Sequence, residues 1–386
     1  MQHSTIWIYP WDLLDEGIPE VLAALRTEAG VKAISLATSY HSVEHFRPHL
    51  SGRKYFVARD AALYFQPQRE LYRETLIEPH VSPLVGPSNP LEAIARACEE
   101  AGMELISWTV CLHNSTLGRQ YPLCTVRNVF DDSYTCWLCP AHPEVRRYLR
   151  ALVRDLSRNY PLAALELESL HYGGRPHYHT HAKVGVDLGP VGDFLLGLCF
   201  CDQCVDLGQA HGVDTKRLAN TVADLLEEAL ATGRPLAGEV ADFIAEQADL
   251  AAYVAMREEV VTSLVQEVKE ASRVPISFLS LGDRWTTGVN LPRVAHRAHR
   301  IEILAYTADT AALERQIQSV GNELGSRDRL GVGLQAYPPA APDEATLVRN
   351  VQAAVRQGVR FLSFYHYGIM PRPNLAWIRR ALQESG

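Results

Sequence analysis

The sequence predicts a (β/α)8 barrel. Strand-like apolar runs alternate with amphipathic helical segments along the 386-residue chain, and eight such runs can be counted. Alternation of this kind predicts parallel strand pairing, and eight units fit a closed barrel. With 47% hydrophobic and 21% charged residues, the chain is expected to bury a sizeable core, which excludes disorder. An open doubly wound sheet is the alternative, but no G-x-G-x-x-G follows the first strand, so the usual nucleotide site of that fold is excluded.

The predicted strands are short apolar runs separated by helices with recognisable ends. In chain order the strands are Thr5–Tyr9, Lys32–Thr38, Glu104–Val110, Ala163–Glu168, Pro275–Ser280, Ile301–Tyr306, Leu330–Gln335 and Val359–Phe364. A helix beginning at Pro143 repeats apolar residues every three or four positions, as a helix with one buried face does. Helices over 91–100 and 344–357 end near Gly102 and Gly358, and glycine suits that position.

The fourth unit is much longer than the others. More than a hundred residues separate strands four and five, where a simple unit needs ~30. This stretch contains a His-rich loop (171–183), a cysteine cluster and helical patterns over about 214–233 and 239–271. We interpret residues 1–386 as a single barrel domain with a large insertion after strand four, at about 171–272.

Charge and hydropathy exclude several classes of partner. The net charge is −8 and the basic residues are scattered, which argues against binding to nucleic acid or to an acidic membrane surface. No apolar run approaches the ~20 residues that span a bilayer, and the N-terminus has no signal-peptide pattern. The sequence therefore predicts a soluble, cytoplasmic protein.

The cysteines suggest a metal site, because tight spacing in a reducing compartment is more typical of metal binding than of disulfides. Cys199, Cys201 and Cys204 form a C-x-C-x-x-C run whose thiolates a tight turn can bring onto one tetrahedral ion. A fourth ligand must come from elsewhere, and Cys136 and Cys139 are the nearby candidates. The prediction is a structural zinc, against buried or redox-active thiols.

One segment resembles a known family. The run Cys139-Pro-Ala-His-Pro, a helix, a strand ending in Glu168 and then Cys199-x-Cys201-x-x-Cys204 resembles family 42 glycoside hydrolases, the zinc-containing barrel β-galactosidases. The match covers about 70 residues. The resemblance implies that Cys139, Cys199, Cys201 and Cys204 bind zinc and that Glu168 is the acid/base.

Two departures from that family predict an altered catalytic site. Leu167 stands where the family has Asn before the acid/base, and strand seven ends at Gln335 without the nucleophilic Glu. The family is commonly trimeric, but this chain ends soon after the eighth unit, so a homo-oligomer is an open expectation.

Strand four carries two candidate catalytic carboxylates. Period-two alternation puts Glu166 and Glu168 on the face opposite the two leucines, so both should point into the barrel, with Glu168 nearer the mouth. Carboxylates ~7 Å apart repel, so one of them can hold a raised pKa suited to proton donation. The alternative for Glu166 is a structural role, paired with an interior Arg or Lys.

Polar and aromatic residues follow most strand ends, where barrel enzymes place their active sites. The candidate substrate-binding residues are Tyr40, His41, His113, Asn114, His171, Tyr172, Trp285, Tyr306, Gln335, Tyr337, Tyr365 and His366. Aromatic faces with few fixed charges suit a neutral polar ligand such as a sugar. His177, His179 and His181 in the His-rich loop offer either further hydrogen bonds or a second metal site.

These observations lead to a glycoside hydrolase-like enzyme that acts on a small neutral carbohydrate. Glu168 is the predicted general acid/base, and its partner is predicted among Asp309, Asp283 and Glu166, with Asp309 favoured. Two alternatives remain open: a sugar-binding barrel that has lost its nucleophile, and a metal-dependent lyase or isomerase that uses the His-rich loop.

Overall fold

The computed structural model describes residues 3–174 and 183–385, and these form a closed (β/α)8 barrel. The barrel strands are β1 (His3–Ile8), β2 (Ala33–Tyr40), β3 (Glu104–Val110), β4 (Ala164–Glu168), β5 (Ile276–Ser280), β6 (Arg300–Leu304), β7 (Leu330–Gln335) and β8 (Phe361–Tyr365). Each pairs in parallel with the next, and β1 pairs with both β2 and β8, which closes the sheet. The predicted fold class is confirmed.

Side chains alternate across the barrel wall as the sequence predicted. In β4, Leu165 and Leu167 belong to the main apolar core between strands and helices, while Glu166 and Glu168 lie on the other face of the strand. In β7 the same alternation turns Gly331, Gly333 and Gln335 inward. A Cβ on Gly333 would lie 2.7 Å from the Trp7 ring, so this close approach requires glycine.

The helices surround the barrel and fill the long connection after β4. They are α1 (Pro10–Glu16), α2 (Ile18–Ala24), α3 (Pro90–Ala101), α4 (Ser115–Gln120), α5 (Pro143–Asn159), α6 (Gly189–Leu196), α7 (Asp202–Ala210), α8 (Thr215–Thr232), α9 (Val240–Ala245), α10 (Ala248–Ala271), α11 (Arg284–Thr287), α12 (Leu291–Ala295), α13 (Thr310–Leu324), α14 (Glu344–Arg356) and α15 (Asn374–Gln383). The prediction of a single helix over 239–271 is wrong, because the helix is interrupted at Glu246 and Gln247, which separate α9 from α10. No helix among the described residues is long and apolar enough to cross a membrane.

Two antiparallel hairpins, which the sequence did not predict, stand in connections on the mouth side of the barrel. One joins Val43–Phe46 to Tyr55–Ala58 after β2, and the other joins Thr125–Arg127 to Ser133–Leu138 after β3. The second hairpin reaches the end of β3 through a bridge between His113 and Trp137. These hairpins add side chains to the barrel mouth that do not come from strand ends.

Candidate functional site

Glu168 lies at the mouth of the barrel, at the carboxyl end of β4. The indole Nε1 of Trp108, on the neighbouring β3, donates a hydrogen bond of 2.6 Å to Oε2 of Glu168. In the described part of the chain, this is the one hydrogen bond to that carboxylate. Burial raises the pKa of Glu168 to about 7, against the opposing effect of the Trp108 hydrogen bond. A carboxyl group with this pKa is partly protonated at neutral pH and can donate a proton.

A group of tyrosines lies beside Glu168, whose charge acts on Tyr40, Tyr306 and Tyr365. The Tyr9 hydroxyl donates to the Tyr40 hydroxyl over 2.9 Å, and Tyr365 lies beside both. The Tyr365 ring centroid is 5.5 Å from that of Tyr306 and 6.4 Å from that of Tyr337. Burial raises the pKa of all five phenols, so each is a neutral hydroxyl at neutral pH. The wall around Glu168 therefore offers aromatic faces and uncharged hydrogen-bonding groups.

A pair of buried carboxylates lies one layer deeper than Glu168, between Glu166 on β4 and Glu302 on β6. Trp7 Nε1 donates to Glu166 Oε2 over 3.0 Å, and the Ser35 hydroxyl donates to the same oxygen. Burial and the nearby Glu302 raise the pKa of Glu166 to about 8, while Arg300 acts in the opposite direction. Burial also raises the pKa of Glu302. Sequence reasoning missed Glu302, although the Arg300-Ile-Glu302 alternation in β6 resembles the alternation that identified Glu166.

The predicted partners of Glu168 are held by other contacts. Asp309 caps α13 by accepting a hydrogen bond of 2.9 Å from the Ala311 amide, and its side chain is 60% exposed. Asp283 likewise caps α11. The pKa of Glu168 responds to burial and to Trp108, with no contribution from a second carboxylate among the described residues. The structure therefore does not place a predicted acidic partner against Glu168.

A row of aromatic rings extends from Tyr40 along one side of the mouth. Successive ring centroids lie 4.2 Å apart from Tyr40 to His41, 4.7 Å from His41 to His113 and 4.9 Å from His113 to Trp137. The row continues to His171, 5.7 Å from Trp137. Trp137 was missed by the sequence analysis because it lies on a hairpin and not at a barrel strand end. Four predicted residues are thus brought together with a fifth, Trp137, that the sequence analysis did not predict.

Two predicted histidines are buried and neutral. His171 Nδ1 lies 2.7 Å from the Tyr172 carbonyl oxygen and therefore donates to it, and burial lowers the pKa of His171 to about 4. In His366, Nδ1 accepts from the Gly368 amide over 3.1 Å, so the proton of the neutral ring lies on Nε2. Burial holds the pKa of His366 well below its usual value. Its ring lies 4.0 Å from the Tyr9 ring, which places it directly behind the tyrosine cluster.

Three other predicted binding residues have structural contacts. Tyr172 is fully buried, with its hydroxyl 3.5 Å from Cys204 Sγ and the Arg257 guanidinium 4.5 Å from its ring, so it contacts the cysteine cluster and not the mouth. The Asn114 side chain caps α4 by accepting from the Leu117 amide. Trp285 lies under the Arg284 guanidinium at 4.7 Å.

The remaining predicted positions divide between the barrel mouth and the undescribed segment. Gln335 ends β7 and is partly exposed, where the resemblance would have placed a glutamate. His177, His179 and His181 lie outside the described residues, so the His-rich loop stays a prediction.

The four predicted cysteines form one buried cluster that could hold a metal ion. Cys139, Cys199, Cys201 and Cys204 have sulfurs within 4.8 Å of one another, and all four are at most 2% exposed. The Cys139 sulfur is 3.8 Å from Cys199, 3.6 Å from Cys201 and 3.6 Å from Cys204. Four thiolates bound tetrahedrally at about 2.3 Å from a zinc ion would lie about 3.8 Å apart. Cys136, the other candidate fourth ligand, is not part of the cluster.

The cysteine cluster joins two connections. Cys139 follows the Ser133–Leu138 strand after β3, whereas the other three cysteines belong to the long connection after β4. The Tyr253 hydroxyl on α10 donates to the Cys199 carbonyl oxygen over 2.6 Å, and the Arg127 amide donates to Cys199 Sγ over 3.5 Å. A metal ion here would crosslink the hairpin that carries Trp137 to the inserted helices.

Comparison with known proteins supports the fold. No protein-family model and no curated protein matches the chain. Among solved structures, the chain is similar to α-L-fucosidase isoenzyme 2 from Paenibacillus thiaminolyticus, with a TM-score of 0.57, 13% identity and coverage of 100% of this chain and 49% of that enzyme. It is also similar to the β-galactosidase from the psychrophilic Marinomonas ef1, with a TM-score of 0.59, 10% identity and coverage of 99% and 59%. The chain thus spans about half to three-fifths of these enzymes and shares the barrel fold of two glycoside hydrolases.

Proposed function

We propose that this protein is a glycoside hydrolase-like enzyme in which Glu168 donates a proton to the leaving oxygen of a small neutral carbohydrate. The observation that carries the proposal is the state of Glu168: a carboxyl group at the mouth whose burial raises its pKa to about 7. General acids work best when their pKa lies near the working pH. The fold shared with two glycoside hydrolases supports the same reaction class.

The chemistry assigned to Glu168 is protonation of the glycosidic oxygen as its bond to the anomeric carbon breaks. Trp108 orients the carboxyl group through Oε2, which leaves the other oxygen for the substrate. Water then adds to the anomeric carbon and loses one proton to solvent, which leaves the sugar hydroxyl, and Glu168 regains a proton from solvent. Asp309, Asp283 and Glu166 are each held by other contacts, so the proposal assigns only the proton donor.

The substrate class follows from the wall of the mouth. Tyr306, Tyr337 and Tyr365 present aromatic faces and neutral hydroxyls, and Gln335 adds a neutral amide. Such a surface suits the alternating apolar and hydroxyl faces of a sugar better than a phosphate or other strongly charged group.

A second candidate is a barrel that binds sugars without cleaving them. It is favoured by one observation, the lack of a second carboxylate acting on Glu168 among the residues that the structure describes, since most glycosidases use a pair. A metal-dependent lyase or isomerase would depend on the His-rich loop, and no described residue supports it specifically.

We infer that the cysteine cluster holds a structural zinc ion. The sulfur separations of 3.6 to 3.8 Å from Cys139 agree with the edge of a zinc tetrahedron, about 3.8 Å. Four protein ligands leave no open position, so the ion would supply a crosslink and not a catalytic water. Reduced thiolates in a buried site also suit the cytoplasmic location that the sequence predicts.

The proposal is tested by measuring the turnover and the binding of saccharides separately. Wild-type protein and Glu168→Gln are incubated with a panel of neutral disaccharides and aryl glycosides, with released sugar and saccharide affinity measured in parallel. The proposal expects sugar release by the wild type and its loss in the variant, with affinity retained. Saccharide binding without release by the wild type would instead support the sugar-binding barrel, and neither binding nor release would contradict both.

A further inference from the structure

The end of the barrel opposite Glu168 contains a cavity of about 290 Å³. It is lined by the beginnings of the strands, including His3 of β1, Ala164 of β4, Arg300 of β6 and Phe361 of β8. Barrel interiors are normally filled by layers of bulky side chains. Here the inward positions of the last layer include Ala33 and Ala164, packed with Ile106, and these small side chains leave the space open. The volume approaches that of small-molecule sites.

One charged group that lines this cavity is the guanidinium of Arg300. Its Nε donates to the Ser277 hydroxyl over 3.2 Å, and its Cζ lies 4.5 Å from the centre of the Phe361 ring, so the side chain is held from two sides. Within residues 3–174 and 183–385, its terminal nitrogens make no direct hydrogen bond or ion pair, and its charge acts on Glu166 and Glu302 in the barrel interior, where it opposes the rise in their pKa.

The rest of the lining sets the kind of ligand. Ile106, Ala164, Pro275 and Ile276 form apolar walls. Glu104, which also lines the cavity, is paired with His3 at 2.7 Å, and the lining further includes the acidic Asp328 and the basic Arg329. A guanidinium fork binds a carboxylate through two parallel hydrogen bonds. The apolar walls suit an organic carboxylate with an apolar body better than a bare inorganic anion.

We propose that this cavity, which we call the floor site, binds a small monocarboxylate with an apolar body, with the carboxylate on the terminal nitrogens of Arg300. The site lies at the opposite end of the barrel from Glu168. It is independent of the function proposed for the mouth, because none of its lining residues acts on Glu168.

Benzoate is a suitable probe, with benzamide as its neutral counterpart and inorganic phosphate as a competing anion. Binding to the full chain is measured by calorimetry for the wild type, Ala164→Leu, Arg300→Leu and Glu168→Gln. Ala164→Leu fills the floor site but keeps the charge of Arg300. If it folds and still loses benzoate binding, the loss is due to the filled space and not to a missing charge or an unfolded chain. Glu168→Gln is the control at the opposite end of the barrel.

The proposal expects saturable benzoate binding to the wild type and to Glu168→Gln, weakened about tenfold or more in Ala164→Leu and Arg300→Leu. Benzamide is expected to bind the wild type about tenfold more weakly than benzoate does. No benzoate binding to the wild type, undiminished binding to a folded Ala164→Leu, or tighter binding of phosphate than of benzoate would each overturn it.

Discussion

Replacing Glu168 by Gln is expected to stabilise the protein while it removes the proposed proton donor. Burial raises the pKa of Glu168 from 4.5 to about 7. The unfolded chain therefore loses this proton near pH 4.5 and the folded chain near pH 7, so between these values the folded state binds more protons. The free energy of unfolding must then fall as the pH rises through this range. A rise from 4.5 to about 7 in the pKa, at ~1.36 kcal/mol per pKa unit, corresponds to an upper limit between about 3 and 4 kcal/mol.

Gln is neutral at every pH and can still accept the hydrogen bond from Trp108. We expect Glu168→Gln to match the wild type near pH 4 and to exceed its free energy of unfolding by about 1–3 kcal/mol at pH 8. The assay is urea unfolding of both proteins at several pH values. Asp309→Asn is a suitable control, because this exposed cap can be replaced by another good capping residue. A wild type that is as stable as Glu168→Gln at pH 8 would contradict the conclusion that burial destabilises the ionised carboxylate of Glu168.

Three further substitutions test other parts of the site. Trp108→Phe removes the hydrogen-bond donor to Glu168, and because a hydrogen bond to a charged group contributes ~1.5–3 kcal/mol, the pKa of Glu168 should rise by about 1–2 units. The rise would be measured as an upward shift of the alkaline limb of the kcat/KM profile or in a ¹³C titration, and an unchanged pKa would contradict the assigned contact. Cys201→Ser should lower both the melting temperature and the metal content, which is expected to be about one zinc per chain in the wild type, whereas Cys136→Ser, outside the cluster, should keep the metal. Elemental analysis that finds no metal in the wild type would contradict the zinc proposal. Gly333→Ala should cost about 1–3 kcal/mol in urea unfolding because its Cβ would lie 2.7 Å from Trp7, while Gly185→Ala, which has open space, should be nearly neutral; equal effects would contradict the packing described.

The barrel was predictable because its strands carry strong local signals. The inward position of Glu166 and Glu168 followed from period-two alternation alone, since the leucines between them must face the helices. The C-x-C-x-x-C spacing likewise predicted three members of the cysteine cluster. Cys139, which the family resemblance implied, is the fourth member of the cluster.

Tertiary contacts between distant segments were not predictable from local patterns. Trp137 reaches the mouth from a hairpin, and the two short strands of that hairpin have no apolar repeat long enough to be predicted from sequence. Tyr172 follows β4 directly and therefore looked like a mouth residue, yet it packs under Arg257 against the cysteines. Asp309 looked like a strand-end acid, but the same position begins a helix and caps it. Position after a strand indicates the end of the barrel but not the direction of the side chain.

The central claim, that Glu168 donates a proton to a glycosidic leaving group, is tested most directly by comparing two substrates of one sugar in the wild type and in Glu168→Gln. One substrate carries a poor leaving group that needs protonation, and the other an activated aryl group that does not. General acid catalysis contributes typically ~10²–10⁴-fold, so kcat/KM should fall by about that factor for the poor leaving group and by much less for the activated one. An equal fall for both substrates, or a fall confined to KM, would contradict the claim and identify Glu168 as a binding carboxylate.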